Sequence, residues 1–382
     1  MREGYDVLGN YISLVDERNR ELSITNLLGV SIEKRFIPSI ANIVGTDLSS
    51  YKIVRTGQFA YGPVTSRNGE KISIALLSGE DCIISSSYTV FEIKDKNHLD
   101  AEYLMLWFSR PEFDRYARYR SHGSVREIFD WEEMCSVELP VPEISKQKEI
   151  VKAYRAITDR IELKRKINDN LVETLKTIYR DSFAGKPFET KSLVDLCSKI
   201  GSGATPRGGK ESYHNEGISL IRSTNVHDYV FSYSDLAFID KTQADALSNV
   251  TVQTNDVLFN ITGVSIARCC IVPPDVLPAR VNQHVMILRP YLGEYMSYYL
   301  MFTLCDSKYK SLLLGIGQSG STREAINKQE MEAFTIPVPA ISEINAFGTK
   351  AATSYSQIRN NDREIAVLLE LQRILLSQLS SH

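Results

Sequence analysis

Few residues of this sequence could do chemistry by themselves, and none of them completes a catalytic set. Asp81 with Glu92 and Lys94 is the best pattern of two carboxylates and an amine that could hold a divalent metal for phosphodiester cleavage. Glu-x-Lys on a strand is common as a solvated face, and that reading is favoured here. An adenine methyltransferase needs an Asn/Asp-Pro-Pro-Tyr/Phe loop, and Val272-Pro273-Pro274-Asp275 is wrong at both flanks. A phosphate loop needs Gly-x4-Gly-Lys-Ser/Thr, whereas Gly209-Lys210 has Ala204 five positions earlier, in the first glycine's place, and is followed by Glu211. The six histidines (98, 122, 214, 227, 284, 382) lack ligand spacing, and the six cysteines (82, 135, 197, 269, 270, 305) lack CxxC spacing. The cysteines read as reduced, mostly buried thiols. The expectation is a chain without catalytic residues, metal or bound cofactor.

What the sequence does offer is side chains suited to nucleic acid. Arg or Lys pairs with guanine and Asn or Gln with adenine, each good pair contributing about 1–3 kcal/mol of discrimination. Candidates in the first half are Lys34, Arg35, Tyr61, Arg67, Ser87, Tyr88, Arg118 and Arg120. In the second half they are Arg207, Lys210, Arg222, Asn225, Asn260, Arg268, Asn282, Gln283 and His284. Each could instead be a solvated loop charge or a turn-forming amide. Ser124-x-Arg126 and Ser321-x-Arg323 form a sharper pair. Gly-Ser ahead of a helical run reads as an N-cap, whose free amides suit a phosphate, with the Arg in support. The alternative is a structural cap whose Arg pairs with a carboxylate.

The elements that position these residues follow from the whole chain. Its 382 residues are enough for two domains, and 43% hydrophobic with 24% charged residues is ordinary for a soluble protein. No stretch approaches the roughly 18 apolar residues of a membrane helix, and Met1 to Asp6 does not open a signal peptide. A cytoplasmic protein with no membrane partner is expected. The net charge of −3 hides an uneven distribution, because residues 146–183 hold ten Lys/Arg against six Asp/Glu.

Self-comparison organises the rest. Gly123-Ser124-Val125-Arg126-Glu127 returns as Gly320-Ser321-Thr322-Arg323-Glu324, and Pro140-Val141-Pro142 as Pro337-Val338-Pro339. At this offset of 197, eleven of 23 aligned positions from Gly123 to Ser145 are identical. Upstream, 54–61 has the same rhythm as 252–259. Each half reads as β-rich (71–93; 268–288) and then helical (101–108; 295–304). After each Pro-Val-Pro comes a long helix with alternating four-three spacing: Ile150, Tyr154, Ile157, Ile161, Lys164, Asn168, Leu171, Leu175, Ile178. Its copy runs Phe347, Ala351, Ser354, Ile358, Asn361, Ile365, Leu368, Gln372, Leu375. The first helix would extend about 58 Å at ~1.5 Å per residue. Polar seam residues such as Asn168 and Asn361 either penalise slipped registers or face solvent where the helices diverge.

The predicted fold is therefore α+β: two pseudo-repeated globular domains separated by two long antiparallel helices forming a coiled coil. The expected boundaries are 1–144 and 185–341 for the domains, and 145–184 and 342–382 for the helices. Two unlike readers at fixed separation would match two different half-sites on double-stranded DNA.

Gly-Ser-x-Arg-Glu, then Pro-Val-Pro, then the helix with Gln147-Lys148-Glu149-Ile150-Val151 resembles the specificity subunit of type I restriction-modification systems. So does Asp159 to Asn168 of the central helix. Gly201-Ser202-Gly203-Ala204-Thr205-Pro206-Arg207 resembles the opening of that family's target recognition domains. Asp256-Val257-Leu258-Phe259 and Val281-Asn282-Gln283-His284 resemble later strands and turns. Tyr51-Lys52-Ile53-Val54 and Gln58-Phe59-Ala60-Tyr61 resemble a first-domain variant, with Gly62-Pro63 standing where that variant has Asn-Pro. The resemblance implies two modification (methyltransferase) subunits docked on the helices, and restriction subunits joining them. It also implies S-adenosylmethionine, ATP and Mg on those partners. Rival readings are a type IIB-like recognition subunit, a coiled-coil scaffold for proteins, and a standalone nuclease. On the phosphate reading, Arg126→Ala or Arg323→Ala weakens binding to all sequences alike and flattens its salt dependence in titrations. A change of sequence preference alone would contradict it.

Overall fold

Short runs of β-branched and aromatic residues pair into the same antiparallel sheet twice in this chain. The computed structural model describes residues 4–39, 45–66, 68–123, 127–206, 208–209, 213–318 and 324–380. It divides into two units, Met1–Leu163 with Ile365–His382, and Lys164–Glu364.

The strands of the first unit are β1 (Tyr5–Val7), β2 (Ile12–Val15), β3 (Leu28–Val30), β4 (Phe36–Pro38) and β5 (Lys52–Val54). They continue as β6 (Phe59–Tyr61), β7 (Ile74–Leu76), β8 (Cys82–Ile84), β9 (Thr89–Ile93) and β10 (Glu138–Pro140). Its helices are α1 (Ala101–Phe108), α2 (Pro111–Tyr119), α3 (Trp131–Cys135) and the first part of α4 (Ile144–Phe183). The main sheet runs β2-β9-β6-β7, antiparallel throughout. Phe59 faces Phe91 across the ladder, their rings stacked at 4.9 Å, and Phe108, Phe113 and Phe129 complete the aromatic core.

The second unit holds β11 (Thr190–Ser192), β12 (Cys197–Ser202), β13 (Ile218–Ile221), β14 (Ala237–Ile239) and β15 (Val257–Asn260). Then come β16 (Cys269–Ile271), β17 (Ala279–Val281), β18 (Val285–Pro290) and β19 (Thr335–Pro337). Its helices are α5 (Leu193–Leu196), α6 (Lys241–Ala246), α7 (Glu294–Cys305), α8 (Ser307–Gln318), α9 (Lys328–Ala333) and most of α10 (Ile341–Gln378). The main sheet runs β12-β18-β15-β16, the same order as in the first unit. An ion pair crosses its face: Arg289 Nε and Nη2 hold the fully buried Asp256 at 2.6 and 2.7 Å. The matching place in the first unit carries an uncharged donor, Gln58 Nε2, on Glu92 at 2.9 Å.

The repeat extends to single hydrogen bonds. Asp130 caps α3 by accepting from the Glu133 N–H, and Asn327, 197 residues on, caps α9 by accepting from the Glu330 N–H. Tyr103 donates its hydroxyl to the Pro140 carbonyl at 3.0 Å, and Tyr299 donates to that of Pro337 at 2.7 Å. Each Pro-Val-Pro exit is thus pinned to its own domain before the long helix starts. The caps of α3 and α9 lie six residues beyond Ser124 and Ser321, which corrects the expectation that those serines cap the following helix.

In each unit a part of α4 packs antiparallel on a part of α10, as a coiled coil. In the first, Ile157 and Ile161 meet Ile365 and Leu368, and Gln372 donates to the Thr158 hydroxyl at 2.7 Å. In the second, Val172, Leu175, Tyr179 and Phe183 pack with Phe347, Ala351, Tyr355 and Ile358. The polar seam positions do not face solvent. Asn361 is 1% exposed; its amide donates to Asn168 at 2.7 Å, and its oxygen accepts from Lys164 at 3.0 Å. Asn168 donates to Asp362 at 2.8 Å, and Lys164 pairs with Glu364 at 2.9 Å. A slipped register leaves the Asn361 amide without a partner, at a cost of about 1–3 kcal/mol.

Burial, opposed by the Asn168 amide and reinforced by Asp275, raises the Asp362 carboxyl above its usual 3.8. A pKa raised by folding means that the fold favours the protonated acid. That contribution is complete below 3.8 and is lost as pH rises through the raised value. Asp362→Asn keeps an acceptor for Asn168 and removes the buried charge. It is expected to raise the thermal midpoint at neutral pH and to converge with the parent in acid; equal midpoints at neutral pH contradict the assignment.

Candidate nucleic-acid interface

In the second unit, loops from four other parts of the chain meet around the β15–β16 hairpin. Asn260 N–H donates to the Arg268 carbonyl and Ala267 N–H to that of Asn260, both at 2.9 Å, closing its mouth. Beyond it, Ile266 N–H returns to the Gly263 carbonyl at 2.9 Å, forming a turn that begins with Gly263 at φ 68°. This turn is tethered to the segment after α8: Gly263 N–H donates to Glu324 O at 3.1 Å and Ile326 N–H to Ile261 O at 2.9 Å. On its other side Ile261 N–H donates to His284 O at 3.0 Å, and the His284 ring shares a hydrogen bond with the Thr262 hydroxyl at 2.7 Å. Behind it, Asn260 Nδ2 donates to the carbonyls of Ser223 and Val226 at 2.9 and 3.2 Å. The 203–206 loop joins through Gly203 N–H to Asn282 O at 3.2 Å. A Cβ on Gly203 would stand 1.7 Å from the Val281 carbonyl oxygen, so glycine is required there.

The candidate side chains in this unit separate into two groups. Asn225, Asn260 and Asn282 are buried. Asn225 donates to the Ser232 and Ser234 carbonyls, each at 3.0 Å, and Asn282 accepts from the His284 N–H at 3.0 Å. These three amides hold the loops together instead of facing a ligand, which corrects their assignment as readers. Arg222 is likewise engaged, on the Asp235 carbonyl and over the Tyr213 ring. Gln283 is exposed, His284 is half-buried beside it, and Arg268 reaches the His227 ring at 3.5 Å. Arg207, Lys210, Ser321 and Arg323 lie outside the described residues.

The first unit repeats this tether. Thr65 N–H donates to Glu127 O at 2.9 Å and Phe129 N–H to Pro63 O at 2.8 Å, the counterparts of Gly263 to Glu324 and Ile326 to Ile261. Tyr61 is wholly buried in the core and cannot reach a ligand, another correction. Lys34 is half-buried and ion-paired with Asp114 at 2.7 Å; burial pushes its ammonium pKa down against that pairing. Arg118 pairs with Glu127, and Arg120 with Glu133 at 2.6 Å, a hydrogen bond that raises the guanidinium pKa. Arg35 and Ser87 are exposed, and Tyr88 is half-buried. Arg67, Ser124 and Arg126 lie outside the described residues. Asp81, Glu92 and Lys94 do not converge: Asp81 binds Arg55 and Thr56, Glu92 accepts from Gln58, and Lys94 donates to the Gly9 carbonyl. Two exposed side chains went unnoticed in the sequence, Tyr119 at the end of α2 and Val264 at the hairpin tip. Nothing in their sequence neighbourhood sets them apart, because their exposure comes from the end of α2 and from the hairpin turn.

A repeated α+β domain whose two copies carry different loop side chains on the same backbone tether is an arrangement suited to recognition. The chain belongs to the family of the type I restriction modification DNA specificity domain, which matches residues 42–173 and 185–365. It is similar to the type I restriction enzyme MjaIX specificity subunit of Methanocaldococcus jannaschii, 23% identical over 307 residues, 74% of this chain and 69% of that one. The crystal structure of the type I restriction-modification S subunit from M. genitalium shares the fold, with a TM-score of 0.59 at 13% identity over 98% of this chain and 95% of that one. The protein is a DNA specificity subunit with two target recognition domains. No described helix is long and apolar enough to cross a membrane.

The two groups of side chains are distinguishable by mutation. Asn260→Ala removes the donor for two carbonyls and is expected to lower unfolding stability by about 1–3 kcal/mol in denaturant titrations. Gln283→Ala should leave stability unchanged and relax base preference in selection from randomised duplexes. Unchanged stability in the first variant contradicts the division.

Proposed function

We propose that this chain carries the address of a type I restriction-modification complex and none of its chemistry. Each recognition domain reads one half of a bipartite, asymmetric site on double-stranded DNA, and the paired helices set the spacing between halves. The observation that carries this reading is the duplicated tether, Thr65 to Glu127 and Gly263 to Glu324, which presents different side chains on one backbone frame. Unlike readers require unlike half-sites.

Two modification subunits dock on the helices, and restriction subunits join them. In support, α10 exposes Val367, Leu371 and Ile374 at four- and three-residue spacing, an apolar stripe beside the one that packs on α4. S-adenosylmethionine, ATP and Mg belong to those partners, and the complex works in the cytoplasm. The buried amides Asn225, Asn260 and Asn282 bond to neighbouring loop backbone, an organisation suited to positioning.

Inserting seven residues into both α4 and α10 keeps the seam in phase and lengthens the pair by about 10 Å, or roughly three base pairs. Single-molecule sequencing of DNA methylated by the resulting complex is expected to show both half-sites intact and the unspecified spacer longer. An unchanged spacer contradicts the ruler, and a contiguous methylated motif contradicts the two-reader proposal.

A further inference from the structure

Val264 is the one large apolar residue among those described that is 100% exposed; the next, Tyr119, is at 82%. Its position makes this more than a stray surface residue. It stands at the apex of the β15–β16 hairpin, in a turn fixed by the Ile266 N–H to Gly263 O and Gly263 N–H to Glu324 O bonds. Exposed Gln283 and half-buried His284 and Arg268 belong to the loops that meet around this hairpin. A β-branched side chain on a turn tied down on two sides has little freedom to fold back, so it faces outward permanently.

The first domain shows what this position is for. There the same turn closes through Asn68 N–H to Thr65 O at 3.0 Å, with Thr65 tethered to Glu127. Adding 198 carries Thr65 onto Gly263, Asn68 onto Ile266, and therefore Ser66 onto Val264. Ser66 is exposed as well. One frame thus presents a hydroxyl in one domain and an isopropyl group in the other.

We propose that this tip is a specificity-determining position, and that Val264 reads a thymine through its C5 methyl group in the half-site of the second domain. Apolar contact with that methyl is how an uncharged aliphatic side chain tells thymine from other bases in the major groove, since it has no hydrogen bond to offer. The inference rests on the reading of the second domain as a DNA reader and adds the residue and the base. A serine at the tip of the first domain has no comparable preference for a methyl group, so this contact sets no requirement for thymine at the matching position of the first half-site.

Deoxyuridine lacks only the methyl group and therefore isolates this contact. The full chain, assembled with its modification subunits, is titrated with duplexes carrying the methylated motif. Thymines in each half-site are replaced one at a time by deoxyuridine. The wild type is expected to lose about fourfold in affinity at one thymine, the effect of a single buried methyl group. Val264→Ser is expected to bind the thymine duplex about that much more weakly and to show no further loss on deoxyuridine at that position. Losses at other positions stay equal in both proteins, and the thermal midpoint is unchanged because the side chain is fully exposed. The proposal is overturned if deoxyuridine is neutral at every thymine, or if Val264→Ser keeps the wild-type discrimination. It is also overturned if the variant weakens binding to motif and scrambled duplexes alike. A wild-type complex that fails to prefer the motif over scrambled DNA would instead sink the DNA-reading assignment itself, so the two failures are distinguishable.

Discussion

A helix with an apolar stripe along its length has no core of its own, and this constraint orders the protein. α4 and α10 together supply the stripe and its partner, each being the sequence copy of the other. Burial of leucine, isoleucine and aromatic side chains contributes on the order of 1.5–3 kcal/mol per residue and drives their association, but it is nearly indifferent to register. The Lys164–Asn361–Asn168–Asp362 network supplies what burial lacks, because those polar groups find one another in a single alignment. Stability and registration therefore reside in different residues of one seam.

The domains use a similar division. Antiparallel sheets of identical order, paired Tyr-to-Pro hydrogen bonds and equivalent helix caps form the part that repeats. Buried amides such as Asn225 and Asn260 bind loop carbonyls, so that the loops are positioned before any ligand arrives. The parts that vary are the tips. Even inside the sheet the matched positions diverge, with Gln58 on Glu92 in one domain and Arg289 on Asp256 in the other. A frame maintained by backbone hydrogen bonds tolerates such changes, because the bonds do not depend on which side chain is carried.

Much of this was legible in the sequence, for a physical reason in each case. Heptad spacing reports helix pairing directly, and the repeat of Gly-Ser-x-Arg-Glu and Pro-Val-Pro fixed which elements correspond. The helix at 101–108 appears with those bounds. Site residues were harder to find. Asn225, Asn260 and Tyr61 have the chemistry of readers, yet burial, which depends on contacts distant in sequence, commits them to the scaffold. Val264 is legible only in the structure: a lone valine between Gly263 and Ser265 has no chemistry that marks it as a reader, and the turn beginning at Gly263 is what exposes it.

The central claim is that one chain carries two unlike readers at a set distance. Selection of bound duplexes from a fully randomised pool, using the chain assembled with its modification subunits, tests it most directly. The account predicts enriched sequences with two short, different motifs separated by a constant length of unselected base pairs. Enrichment of one continuous motif, of two identical halves, or of halves at variable distance would contradict it.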